Sequence, residues 1–191
     1  VTITPAHPPF RILLSRDQIL RRTHELARQI VTDAGDSPLC LVVVIEGART
    51  FARQLQKLLP GHLPLHEVRA SSYGSGTTSS GRVQLTLGKD LPVRGRDVLL
   101  LEDIVDTGRT IAALREHFLG EGADSVRTAT LLSKPSRRVV ELELEYVGFE
   151  IPDEFVLGFG MDLDGRYREL PDVVVYEQEV ERAFQQRASA G

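Results

Sequence analysis

The residues best suited to chemistry lie in one run, residues 99–110, Leu-Leu-Leu-Glu-Asp-Ile-Val-Asp-Thr-Gly-Arg-Thr, where an apolar strand leads into an acidic pair and then a glycine-bearing turn. Placed where the strand runs out, Glu102 and Asp103 can accept hydrogen bonds from two vicinal hydroxyls of a sugar. The amides of Asp106, Thr107, Gly108, Arg109 and Thr110 open a helix expected over residues 111–119, and a helix N-terminus suits a phosphate. One end of the run therefore fits a ribose and the other its phosphate. A shorter fragment such as Asp-x-x-Asp would read as a surface turn in which Asp106 or Thr107 caps the helix; the full string points to the ligand.

Three further constellations lie outside this run. Lys134 follows an apolar stretch in Leu131-Leu132-Ser133-Lys134-Pro135, where a lysine on its own would be a solvated loop residue. The segment Met161-Asp162-Leu163-Asp164-Gly165-Arg166-Tyr167-Arg168 reads by itself as a polar turn. Residues 71–81, rich in Ser, Gly and Thr, have the composition of a flexible linker, yet linkers of that length inside one domain are rarely idle. The five histidines and single cysteine lack zinc-ligand spacing.

The elements that must position these groups follow from periodicity. Ser15-Arg16-Asp17-Gln18 predicts a capping box, after which Ile19, Leu20, Thr23, Leu26, Ala27, Ile30 and Val31 recur at helical spacing. The β-branched run 39–45 predicts a strand covered on both faces, followed by a helix over residues 50–59. Further strands are expected over residues 65–69, 82–87, 97–101 and 126–132. Alternating strands and helices imply an α/β fold, a mainly parallel sheet flanked by helices, with ligands at the carboxyl ends of its strands. Beyond Lys134 the pattern changes to alternating Val140, Leu142, Leu144 and Tyr146, then strands around residues 155–158 and 173–176 and a terminal helix. Nothing divides the chain, so residues 1–191 are read as one domain.

Composition narrows the function. With 191 residues, 41% hydrophobic and 26% charged, the chain can bury one good core. A formal net charge of -4 argues against a nucleic-acid or anionic-membrane surface. Cys40, inside the run 39–45, reads as a buried, inert thiol. No apolar stretch reaches bilayer length and no signal-peptide pattern opens the chain, so the cytoplasm is the expected compartment.

The string Glu-Asp-Ile-Val-Asp-Thr-Gly-Arg-Thr at residues 102–110 resembles the phosphoribosyltransferase signature, in the form seen in hypoxanthine-guanine phosphoribosyltransferases. The likeness continues through residues 70–81, 131–134 and 146–170 with similar spacings, and so covers most of the chain. It implies the type I phosphoribosyltransferase fold, with a small hood lobe from the N- and C-terminal segments. The implied reaction moves the 5-phosphoribosyl group of 5-phosphoribosyl 1-pyrophosphate (PRPP) to hypoxanthine or guanine, releasing pyrophosphate. On this resemblance Asp106 is the general base at purine N7, and Glu102, Asp103 and residues 106–110 hold the ribose and its phosphate. Lys134 donates to the 6-oxo group, backbone groups at Val156 and around Asp162 read the purine edge, and Phe155 stacks on the ring. Ser72 and Tyr73 belong to a lid that excludes water. Glu46, Gly47 and Arg168 fall at the pyrophosphate.

The same resemblance implies Mg2+ served by Glu102, Asp103 and Asp162, since magnesium takes few protein carboxylates and completes its shell with phosphate and water. Self-association as a homodimer or homotetramer is implied, with no nucleic acid or membrane as partner. Adenine would oppose a donor to the Lys134 ammonium, and a polar site so mismatched discriminates by about 10⁴. Two rival readings are a xanthine-preferring transferase and a regulator that senses PRPP without turning it over.

One residue departs from the family pattern. Glu46 stands where relatives commonly carry Lys or Arg, and a glutamate aimed at the ligand from ~5 Å would cost roughly 3 kcal/mol per ligand charge at an effective dielectric near 20. Glu46 is therefore expected to point away or to pair with an arginine such as Arg49, leaving Gly47 and the backbone to bind.

Overall fold

The computed structural model describes residues 7–72, 83–88 and 91–189. In chain order the elements are β1 (Arg11–Leu14), α1 (Arg16–Ala34), β2 (Leu39–Ile45), α2 (Arg49–Gln56), β3 (Leu65–Ser72), β4 (Val83–Leu87), β5 (Asp97–Val105), α3 (Arg109–Gly120), β6 (Ser125–Ser133), β7 (Tyr146–Glu150), β8 (Val156–Leu157), β9 (Val173–Val175) and α4 (Gln178–Ser189). The capping box before α1 forms as its sequence predicts: Ser15 N–H donates to Gln18 Oε1 at 2.8 Å, and the Ser15 hydroxyl accepts from Gln18 N–H. Helix α2 is shorter than its periodicity suggests and stops four residues before Pro60.

Six strands form one sheet in the order β4-β3-β2-β5-β6-β7, parallel throughout except where β4 returns antiparallel to β3. Alternation along β2 explains why its sequence is apolar without a break. Leu41 and Val43 pack with Ile19, Leu26 and Phe51 of α1 and α2, while Cys40, Val42 and Val44 pack with Ile111, Leu114 and Phe118 of α3. Cys40 is buried, and burial pushes its thiol pKa up, as suits an inert position. The chain runs from β2 outward to β3 and returns to the other side of β2 as β5. The topological switch therefore falls between β2 and β5, and a ligand crevice belongs at their carboxyl ends.

The hood is a second sheet, β1-β9-β8, made antiparallel by joining residues 11–14 to residues 173–175. One of its faces, Val156, Val173 and Val175, enters the same core as α1 and α2; the other, Leu157 and Val174, packs with Phe10, Tyr167 and Leu170. The alternation at Val140, Leu142 and Leu144 is not a paired strand. Leu142 and Leu144 pack at the edge of the α3-side core, and strand pairing with β6 begins only at Tyr146.

Candidate active site

The signature strand is longer than its sequence suggests. β5 runs through the acidic pair to Val105, so the two side chains leave the strand on opposite sides, but Glu102 folds back, its Oε1 accepting from Asp103 N–H at 3.2 Å and its carboxyl lying beside that of Asp103. Asp103 falls on the cavity side, where its Oδ1 accepts from Ile104 N–H at 2.8 Å. Its Oδ2 occupies the space in which a side chain at residue 47 would stand, so any other residue there would displace the Asp103 carboxylate. Glu102 is 7% exposed and does not line the cavity. Burial, followed by the neighbouring Asp103 carboxylate, pushes its pKa well above the usual carboxyl range. Of the acidic pair expected to hold a ribose, Asp103 lines the cavity and Glu102 is buried behind it.

Beyond Val105 the chain turns into α3. Gly108, at φ +84°, is the N-cap and makes no side-chain cap bond, in contrast to the simpler expectation that Asp106 or Thr107 would cap. The Thr107 hydroxyl only approaches Arg109 N–H, at 3.4 Å. A left-handed residue is required here, and a side chain at Gly108 would press on Arg138. Asp106 Oδ1 and Arg138 Nη1 are buried with no hydrogen-bond partner, at this same turn. Neither atom makes a hydrogen bond, and Asp106 Oδ1 is met only by the Arg137 guanidinium in an ion pair at 3.6 Å, so both keep hydrogen-bonding capacity suited to a ligand at this helix N-terminus. Arg138, held by donating from Nη2 to Ser133 Oγ at 2.9 Å, was not singled out from sequence; its signal was only its place four residues after Lys134.

A cavity of about 390 Å³ opens beside this turn. From the sheet it takes Asp103, Ile104 and Asp106, and from the end of β6 it takes Lys134. The loop after β2 supplies Glu46 and Gly47. The hood side supplies Phe155, Val156, Met161, Asp162 and Arg168. Lys134 is 7% exposed, its Nζ 3.6 Å from Asp153 Oδ1. Phe155 is 53% exposed, its ring edge-on to Tyr176, so one face is open to a planar ligand. Asp162 and Arg168 hold one another: Arg168 Nη2 lies 2.9 Å from Asp162 Oδ1, while Asp162 Oδ2 accepts from Gly165 N–H at 2.6 Å. Phe159, Asp164 and Tyr167, none of them glycine, sit at positive φ in this loop, a concentration of backbone strain typical of functional sites.

The peptide bond Ile45-Glu46 is cis. Glu46 pairs as expected with Arg49, Oε2 to Nη1 at 3.1 Å, and also with Arg69, Oε1 to Nη2 at 2.7 Å. Its charge is thereby countered at the cavity rim. Thr107 lies in the β5–α3 turn, and Arg109 and Thr110 open α3. Ser72 closes β3 by pairing with Val83, and its side chain and Tyr73 lie outside the described residues. Among the described residues no group of three His, Cys, Asp or Glu side chains is placed to hold a metal ion. No helix of these residues is long and apolar enough to cross a membrane.

A parallel sheet with a phosphate-type turn at its switch point, an acid beside that turn and a hood above it defines a transferase of ribose phosphates. Residues 12–164 match the family model of the phosphoribosyl transferase domain, and the chain belongs to that family. It is 45% identical over 171 residues to the hypoxanthine-guanine phosphoribosyltransferase of Streptococcus thermophilus, covering 89% of this chain and 94% of that one. Among solved structures, the hypoxanthine phosphoribosyltransferase of Staphylococcus aureus superposes with a TM-score of 0.82 at 38% identity, over 89% of this chain and 92% of that chain. The Trypanosoma cruzi hypoxanthine phosphoribosyl transferase gives 0.83 at 34% identity, over 97% and 100%.

Proposed function

We infer that the chain is a purine-salvage enzyme that moves the 5-phosphoribosyl group of PRPP to hypoxanthine or guanine, forming IMP or GMP and releasing pyrophosphate. The observation that carries this is the meeting of Asp106, Lys134 and Phe155 with Asp103, Asp162 and Arg168 around one cavity. The names of the relatives favour this reading over a xanthine-preferring or merely sensing protein.

In the proposed reaction, the bond from ribose C1′ to the pyrophosphate oxygen breaks and the bond to purine N9 forms. Positive charge grows on the ribose ring as pyrophosphate leaves, and the Asp103 carboxylate offsets it from the sheet edge. Asp106 takes the proton from purine N7 as the N9 bond forms, its Oδ1 making no hydrogen bond and only a 3.6 Å ion pair with Arg137. Lys134 donates to the 6-oxo oxygen, Phe155 stacks on the ring, and the backbone at Val156 and Asp162 reads the remaining edge. The β5–α3 amides, Thr107 to Thr110, take the 5′-phosphate, while Gly47, the backbone of Glu46 and Arg168 meet the pyrophosphate. Magnesium suits this donor set, in which hard carboxylate oxygens of Asp103 and Asp162 line the cavity with neither His nor Cys, and Glu102 is the less accessible third candidate. When bound it would neutralise charge on the departing pyrophosphate. We also propose self-association as a homodimer or homotetramer, which sedimentation would read.

Nucleotide formation from PRPP and magnesium, measured separately with hypoxanthine, guanine, xanthine, adenine and uracil, tests the reading. Turnover confined to hypoxanthine and guanine is expected. Comparable efficiency with adenine would overturn the assignment of Lys134, and no turnover with any base would overturn the reaction.

A further inference from the structure

Next to the active cavity, and sharing Glu46 and Arg168 with it as walls, lies a second hollow of about 390 Å³ for which the proposed reaction has no use. Its long wall is one face of α2. Arg49, Arg53 and Lys57 recur there at intervals of four, so their cations stand one above another, with Thr50 and Gln54 beside them. Like charges four apart repel, and Arg49 sits at the helix end whose dipole favours an anion, with no acidic residue in the first turn, whereas Arg53 in the last turn and Lys57 at the C-cap stand where the dipole favours cations.

The rest of the chain neutralises only the first of these three cations. Arg49 is gripped by Glu67 through Nε at 2.8 Å and Nη2 at 2.9 Å, and by Glu46. Arg53 and Lys57 are exposed, and their side chains make no hydrogen bond or ion pair among the described residues, Arg53 only lending its charge to Glu67. Counting Arg69 and Arg168, five cations face three carboxylates, Glu46, Glu67 and Asp162, on a chain whose formal net charge is -4. The local excess is positive where the protein as a whole is negative.

We propose that this hollow is a second anion site, continuous with the pyrophosphate end of the active cavity, which receives phosphate groups beyond the two of pyrophosphate. A linear inorganic phosphate chain of three or more units then spans both hollows. Its first two groups lie against Gly47 and Arg168, and its next meets Arg53 and Lys57. Arg49, fixed by its two carboxylates, forms the floor between them. This inference rests on the pyrophosphate assignment made above. It adds a ligand class, linear oligophosphates, and two residues, Arg53 and Lys57, to which that assignment gives no role.

The test compares inorganic pyrophosphate, linear tripolyphosphate and cyclic trimetaphosphate as ligands of the whole protein, by calorimetry and by competition against PRPP at matched free magnesium. Linear tripolyphosphate is expected to bind about tenfold tighter than pyrophosphate, the order of gain from two charge contacts in an exposed hollow, and the gain should shrink with added salt. The double variant Arg53→Gln/Lys57→Gln, at two exposed positions where glutamine keeps the helix, should erase the gain while leaving pyrophosphate affinity within about twofold. Equal binding of the two linear chains overturns the proposal, as does a gain that survives the double variant. A matching gain for the cyclic compound, which has three phosphates but no reach, would show mere charge attraction and also overturn it. Failure of the enzymatic reading is seen separately, as absence of turnover with every base, and calorimetry still reads the second site in that case.

Discussion

The sheet end of the active cavity comes from one unbroken stretch, residues 102–110, whereas the hood end is assembled from opposite ends of the chain. At the sheet end, Asp103, the Gly108 turn and the start of α3 are neighbours in sequence, and their geometry follows from strand alternation and one left-handed residue. At the hood, β1 pairs with β9, Arg16 N–H donates to Asp172 Oδ1 at 2.7 Å, and Arg11 reaches Glu154 at 2.6 Å. The hood also carries its own polar knot. Glu181, 5% exposed, accepts from Tyr167 and Tyr176 hydroxyls, each at 2.7 Å, and from Arg166 at 2.5 Å. The hydrogen bond from Tyr167 in particular draws the Glu181 pKa below its ordinary value, while burial, then Glu181, pushes Tyr167 up to about 12. Chemistry at the sheet end is thus separable from stability, and at the hood the two are joined.

The sharpest way to break that contrast is Asp106→Asn. Loss of the proposed general base should lower the turnover number by about 10²–10⁴ with the melting temperature unchanged; a large fall in melting temperature would show that the sheet end is also structural. Lys134→Gln comes next. Replacing a buried ammonium donor should reduce the preference for hypoxanthine over adenine, read as the ratio of kcat/KM values, by about 10–100-fold, the scale of a charged hydrogen bond.

At the hood, Glu181→Ala should destabilise the fold by about 1–3 kcal/mol, because buried tyrosine hydroxyls lose their acceptor. Its pH dependence follows from the depressed pKa: the stabilisation is present above the ordinary value of 4.5 and is lost as pH falls through the lower folded value. Denaturation curves of wild type and variant should therefore converge in acid, and a gap that stays constant below pH 4.5 would separate Glu181's role from its charge. Smallest of all, Arg11→Ala should cost under about 1 kcal/mol, since its pair with Glu154 is exposed and screened by salt. A greater loss would mean that the β1 edge is held by charge and not by strand pairing.

Much of this molecule was legible in its residues. The capping box at Ser15, the two-sided strand at 39–45 and the glycine turn into α3 appear where local pattern put them, because each rests on hydrogen bonds or side-chain alternation within a few residues. The split between Glu102 and Asp103 was missed since the length of β5 is set by its pairing with β6, which continues to Val105 and Ser133. The alternation before Tyr146 looked like pairing but comes from two leucines packing at the edge of a core. Arg138 gave little signal beyond its place after Lys134, because its position depends on Gly108, thirty residues earlier, having no side chain.

The sequence by itself determined the α/β class, the strands and helices of the central sheet from β2 to β6, and the set of groups able to hold a sugar phosphate, since propensity, capping and alternation act between near neighbours. Only the tertiary structure decided which of two adjacent carboxylates lines the cavity, that Arg69 joins Arg49 in holding Glu46, and that the stripe on α2 opens beside Arg168. Those outcomes depend on side chains meeting across the parallel sheet's crossovers, where the loop after β2 and the end of β5 come together over more than fifty intervening residues.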